Sequence, residues 1–232
     1  MTTKRKIKPP FFEIGPKSYL YGDDVLALAL AADAASEKYG VDVIFTTPFV
    51  DIRRVAQETN HLFVFAPHMD PIPVGRGLAD ILPESLVAAG ACGVMLNHVE
   101  KPLSLSDLHR TILRAQEVGL LTIVISDSIS EAAAIAHLSP DIIVAEPSEL
   151  IGTGKTSSED YVNSSTSVIR SIDADLLILQ GAGISSPQDV YDVIFAGAQA
   201  TGSSSGVALA PDPAAMADGM IRAAREAWDA RH

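Results

Sequence analysis

The 232-residue chain has a single cysteine, Cys92, set in the apolar run 91–96. One thiol forms no internal disulfide, so a reducing compartment is expected and cysteine-based metal clusters are excluded. Basic side chains are also scarce, 17 against 29 acidic ones, for a formal charge of −12. A nucleic-acid partner requires a basic surface, and the only dense basic run is Lys4, Arg5, Lys6 and Lys8. That run reads as part of a flexible, solvated tail over residues 1–9. Long hydrophobic stretches are missing as well: the longest apolar-rich run, Val25–Ala35, is interrupted by Asp33 and is too short to span a bilayer. The expectation is a cytoplasmic protein with neither nucleic-acid nor membrane partners. No linker or low-complexity segment divides the chain, so residues 1–232 are read as one domain, of a length that an α/β barrel fills around one core.

What is present is a hydrophobic fraction of 47% arranged in alternation. Short β-branched or aromatic runs occur at Pro10–Ile14, Asp42–Thr46, Leu62–Ala66, Cys92–Leu96, Leu121–Ile125, Ile142–Ala145, Leu176–Leu179 and, weakly, Gln199–Thr201. Segments of helical period lie between them, the pattern of a parallel sheet with helical crossovers. Residues 105–118 place Leu105, Leu108, Ile112 and Ala115 on one face behind a Ser104/Asp107 start signal. Ser186-Pro187 with Asp189, and Asp212-Pro213, mark two further helix starts. Residues 67–82 have little periodicity and read as a functional or interface loop. Eight strand-helix units of about 29 residues each favour a closed (β/α)8 barrel, which has no sheet edge to protect.

In such a barrel the chemistry sits just past the C-terminal ends of the strands. The polar candidates there are Gly15 and Lys17 after strand one, His68 and Asp70 after strand three, Asn97, His98 and Glu100 after strand four, and Glu146 after strand six. Glycine-bearing turns after strands six, seven and eight (152–154, 181–183 and 202–206) suggest a backbone cradle for an anion. His68 and Asp70 read as structural or interface residues. The string GTGKT at 152–156 is not a P-loop, because Glu149 stands where the first glycine is required, and GAGIS at 181–185 lacks the dinucleotide fingerprint. No strand candidate contains a lysine for a Schiff-base aldolase.

The segments GPKSY (15–19), HMDPIPVG (68–75), LPESLVAAGA (82–91), LNHVEKP (96–102), EPSELIGTGK (146–155) and QGAGIS (180–185) resemble triosephosphate isomerase, in its short archaeal-type branch, over nearly the whole chain. The resemblance implies an aldose–ketose isomerase of a small phosphorylated sugar, working without metal or organic cofactor as a homodimer or homotetramer. Carried over by position, Glu146 would be the base, His98 the electrophile and Lys17 the positive charge beside the substrate, with Glu100 supporting the site from behind. Gly15, Ile151, Gly152, Gly183, Ser204 and Ser205 would bind substrate and its phosphate, and 147–155 would close as a lid. An imidazole kept neutral by a helix N-terminus is an established feature of that family, and the helix starting at Ser104 is expected to lower the His98 pKa.

The chain departs from the family around the substrate. The family has an asparagine two residues before the lysine, reaching substrate oxygens, and this chain has Gly15. Val99 replaces a serine, Lys101-Pro102 replaces an arginine pair, and Leu78-Ala79 replaces a Thr-Gly loop tip. Lysine does not reproduce the bidentate fork of arginine. If Gly15 opens room, a four-carbon sugar such as a tetrulose phosphate is an alternative to glyceraldehyde 3-phosphate and dihydroxyacetone phosphate. A non-catalytic sugar-phosphate-binding barrel is the alternative of another class.

Overall fold

Eight strands pair in parallel, each with the next in sequence and the last with the first, to close a barrel. The computed structural model describes residues 6–147, 159–181 and 183–232. In chain order the elements are β1 (Phe11–Ile14), α1 (Asp23–Tyr39), β2 (Asp42–Thr46), α2 (Ile52–Glu58), β3 (Leu62–Ala66), α3 (Pro83–Ala89), β4 (Gly93–Leu96), α4 (Leu105–Val118) and β5 (Leu121–Ser126). They continue with α5 (Ile129–Ala136), β6 (Ile142–Ala145), α6 (Glu159–Ile172), β7 (Leu177–Gln180), α7 (Pro187–Phe195), β8 (Ala200–Ser203), α8 (Ser205–Ala208) and α9 (Pro213–Arg231). A 3-10 turn, Phe49–Asp51, precedes α2. The fold is the expected single (β/α)8 barrel.

The strands read as nearly unbroken apolar runs because both of their faces are covered. Phe12, Ile14, Val43, Phe45, Val64 and Ile143 pack outward with the helices, whereas Phe11, Ile44, Phe63, Phe65, Ile123 and Val144 fill the barrel interior. The interior is tight enough to dictate residue type: a Cβ on Gly93 would stand 2.3 Å from the Phe65 ring. Ser186 and Asp189 form a complete capping box at α7, and the Ser104 and Asp212 side chains accept N–H bonds at the starts of α4 and α9. Each replaces a bond that a first-turn N–H lacks.

Three expectations shift. Of the tail expected over residues 1–9, Ile7 is buried with the barrel interior and the Lys8 N–H donates to Asp42 Oδ2 at 2.8 Å, so the fixed chain begins before Pro10. Strand eight runs over Ala200–Ser203 because Phe11 to Ile14 register with it residue for residue. Ser203 is therefore strand, and Ser205 opens α8, where the sequence suggested a glycine-bearing turn over 202–206. Residues 67–82 do form a loop, closed at its base by Asp70, which bonds Ile81 N–H at 2.7 Å and pairs with His68 at 3.3 Å. His68 and Asp70 thus hold the loop's base together.

Asp33, which reads in the sequence only as an interruption, turns out to link distant elements. From the buried face of α1 its Oδ1 accepts the N–H groups of Asn60, His61 and Leu62 at 3.0, 2.6 and 3.1 Å. Asp33→Ala takes this acceptor away from three donors, and we expect a loss of about 2–4 kcal/mol. Urea unfolding should show a lower midpoint at unchanged slope.

Candidate active site

The end of β1 and the loop after β4 meet at the C-terminal mouth of the barrel. Lys17 Nζ donates to Glu100 Oε1 at 2.9 Å, with the lysine side chain 26% exposed and the glutamate 65%. Three non-glycine residues among those described have positive φ, and two of them border this contact: Lys17 (47°) and Asn97 (59°). Such a backbone persists only where its surroundings hold it. Asn97 shows how: its amide donates to Ile125 O at 2.9 Å and Glu131 Oε1 at 3.1 Å, and its Oδ1 accepts Leu103 N–H at 3.0 Å. The loop that carries His98 is thereby tied to β5 and α5.

His98 Nδ1 accepts the N–H of Glu100 at 3.1 Å. An accepting Nδ1 puts the proton of a neutral ring on Nε2, which leaves Nε2–H as the available donor. Burial, followed by the charge of Lys17, lowers the His98 pKa below the usual histidine value, and Glu100 opposes the shift. The direction is the expected one, and burial is its largest cause. Helix α4 begins only at Leu105, and its cap, Ser104, is engaged by Asp107.

Glu146 follows β6 with its N–H donated to Ser126 O at 3.0 Å. It lies against Gly181: a Cβ there would stand 3.0 Å from Glu146 Cβ and 3.1 Å from its Oε1. Val144 Cγ1 would be met at 3.1 Å as well, so the Glu146 side chain depends on a residue without a side chain immediately after β7.

The sequence reading missed Glu13. Its Oε1 accepts the Thr46 hydroxyl at 2.6 Å. Burial raises its pKa from 4.5 to about 7; the Thr46 bond opposes this, the charge of Glu146 adds to it, and Lys17 opposes it. A signal was available, since Glu13 has the parity of interior Phe11 in an otherwise apolar strand. The same side chain crowds Gly15: a Cβ there would lie 3.1 Å from Glu13 Oε1, so a carboxyl oxygen borders the position where the family's asparagine side chain begins. The missing side chain therefore does not leave an open space beside β1 for a fourth substrate carbon.

The candidate phosphate residues after β7 and β8 come together. Ser203 Oγ donates to Ile184 O at 2.8 Å, and Gly206 packs so closely that a Cβ would meet Ile184 O at 2.6 Å. Gly183 lies on one side of this junction, and Ser204 and Ser205 lie on the other. The Ser204 Oγ is buried with no hydrogen-bond partner among the described residues. Ile151 and Gly152, and all of the expected lid except Pro147, lie outside the described residues. Among the described residues no cluster of His, Cys, Asp and Glu is arranged to hold a metal ion, and no helix is long and apolar enough to cross a membrane.

Comparison with known proteins points to one family. The family model described as triosephosphate isomerase matches residues 20–208. The triosephosphate isomerase of Methanothermus fervidus is 36% identical over 194 residues, covering 82% of this chain and 87% of the relative. That of Methanobacterium bryantii is 35% identical, covering 88% and 92%. That of Saccharolobus solfataricus is 33% identical over 226 residues, covering 95% and 99%. With a family match over most of its length and near full-length relatives above 30% identity, the chain belongs to the triosephosphate isomerase family.

Proposed function

We propose that this chain interconverts glyceraldehyde 3-phosphate and dihydroxyacetone phosphate through an enediolate. The Glu146 carboxylate removes a proton from the carbon beside the carbonyl and returns it to the neighbouring carbon. His98 Nε2–H donates to the oxygen on which charge develops. A neutral imidazole suits this role because it stabilises the oxyanion without adding a competing acid. The Lys17 ammonium, held by Glu100, supplies positive charge beside the same oxygens. Backbone and hydroxyl groups at Gly183, Ser204 and Ser205 bind the phosphate, together with Ile151 and Gly152, and the buried Ser204 Oγ is suited to an anionic partner.

The observation that carries this reading is the electrostatic linkage of groups from three strands at one mouth. Lys17 acts on His98 and Glu13, Glu146 acts on Glu13, and Glu100 bonds Lys17 and His98 alike. The lone Cys92 supports a cytoplasmic enzyme. Val74 and Leu78, 71% and 105% exposed at the tip of the loop after β3, support a closed homo-oligomer in which a second copy covers them.

A coupled assay should show turnover of glyceraldehyde 3-phosphate with kcat/KM at least tenfold above that for tetrulose phosphates; no turnover, or the reverse preference, overturns the reading. Glu146→Asp retracts the base and should lower kcat about 100- to 1,000-fold with KM changed only a few-fold. Gly183→Ala, at a backbone φ of 73°, should instead act mainly on KM. Sedimentation at micromolar concentration should give a dimer or tetramer, and a monomer would refute the loop contact.

A further inference from the structure

Glu13 is an acidic side chain inside the barrel for which the proposed mechanism has no use. Its placement follows from strand parity, with Phe12 and Ile14 facing the helices and Phe11 and Glu13 facing inward. It stands level with Ile44 of β2 and Gly202 of β8. A carboxyl group in an apolar barrel is costly unless its surroundings are arranged for it, and here they are. Thr46 donates to Oε1 at 2.6 Å. A Cβ on Gly202 would lie 2.9 Å from Glu13 Cβ and 3.1 Å from Oε2, and a Cβ on Gly15 would lie 3.1 Å from Oε1. Two residues without side chains therefore flank the group, one on each side.

The second of these contacts carries the functional content. At position 15 related enzymes are expected to present an amide to the substrate, and this chain presents none. Glu13 Oε1 instead stands 3.1 Å from the point where that side chain would begin. We propose that Glu13, as a neutral acid, stands in for the absent amide: it donates a hydrogen bond to a substrate oxygen and so determines specificity in the isomerase site. The assignment rests on the proposed function and deepens it. A neutral carboxyl and an amide each offer a donor, whereas a carboxylate only accepts. Ionised Glu13 would also add negative charge beside Glu146, the developing enediolate and the phosphate.

The environment favours the neutral form. Burial is the main cause that raises the pKa to about 7, and the charged groups acting on Glu13 are Glu146 after β6, which raises it, and Lys17 after β1, which lowers it. The flanking Thr46 on β2 and Gly202 on β8 carry no charge. The proton is present below about pH 7 and lost above it, so the donor disappears as pH rises. The His98 pKa is shifted downward, away from that limb.

The test is a cycle of variants assayed with glyceraldehyde 3-phosphate. Glu13→Val should lower kcat/KM about 10- to 100-fold, the scale of one lost hydrogen bond in a polar site. Gly15→Asn alone should also lower it, because the new side chain crowds Oε1 and displaces the Glu13 carboxyl. The double variant should recover to within about tenfold of the parent, since asparagine then has both the space and the substrate oxygen to itself. In Glu13→Gln, which cannot ionise, the fall of kcat/KM above about pH 7 should move up by at least one pH unit relative to the parent. Independent, multiplying losses in the double variant together with an unmoved alkaline limb in Glu13→Gln overturn the assignment. If the valine variants do not fold, as judged by circular dichroism, the pH profile of Glu13→Gln decides alone. A parent with no triose phosphate turnover refutes the proposed function, and this assignment with it; an active parent whose limb is unmoved refutes the assignment only.

Discussion

A strand covered on both faces has no place for a charge except at its ends or in a pocket built for it, and that constraint orders the whole molecule. Interior and exterior side chains of the barrel are almost all apolar, so the parallel strands deliver their polar residues together at one mouth. Lys17, His98 and Glu146 arrive there from strands one, four and six without any of them lying near another in sequence. Their local geometry is then set by neighbours that do no chemistry. Asn97 bonds to β5 and α5, and Gly181 leaves a space for the Glu146 side chain.

The same constraint explains which parts of the structure were legible in the sequence. Strands such as Asp42–Thr46, Leu62–Ala66 and Ile142–Ala145, and the helix Leu105–Val118, agree residue for residue with the pattern of apolar runs and start signals. Strand eight was harder to place, because Ala-Thr-Gly-Ser has little strand character of its own and is held by its register with β1 and by the Thr201 hydroxyl bonded to Gln180 O. Ile7 was misread because a basic run outweighed one apolar residue, although that residue plugs the barrel.

At the site, the residues at strand ends were legible from position and motif, but their electrostatics were not. The lowered pKa of His98 has burial and the charge of Lys17 as its causes, two effects that depend on contacts far apart in sequence. Gly15 was read as space because the sequence shows what a residue lacks and not what moves in to fill it. Glu13 went unnoticed because a single acid in a four-residue strand resembles an edge position until the strand order closes on itself.

Closure also bears on how the chain opens. Asp33 on α1 reaches past β2 to hold the backbone amides at the start of β3, 27 to 29 residues away. Helix α1 can detach only if those amides are released, and β3 can fray at its start only if α1 gives up its buried carboxylate. Opening of α1 and fraying at the start of β3 are thereby one event, and the amides of Asn60, His61 and Leu62 exchange with solvent only as fast as the helix lets go.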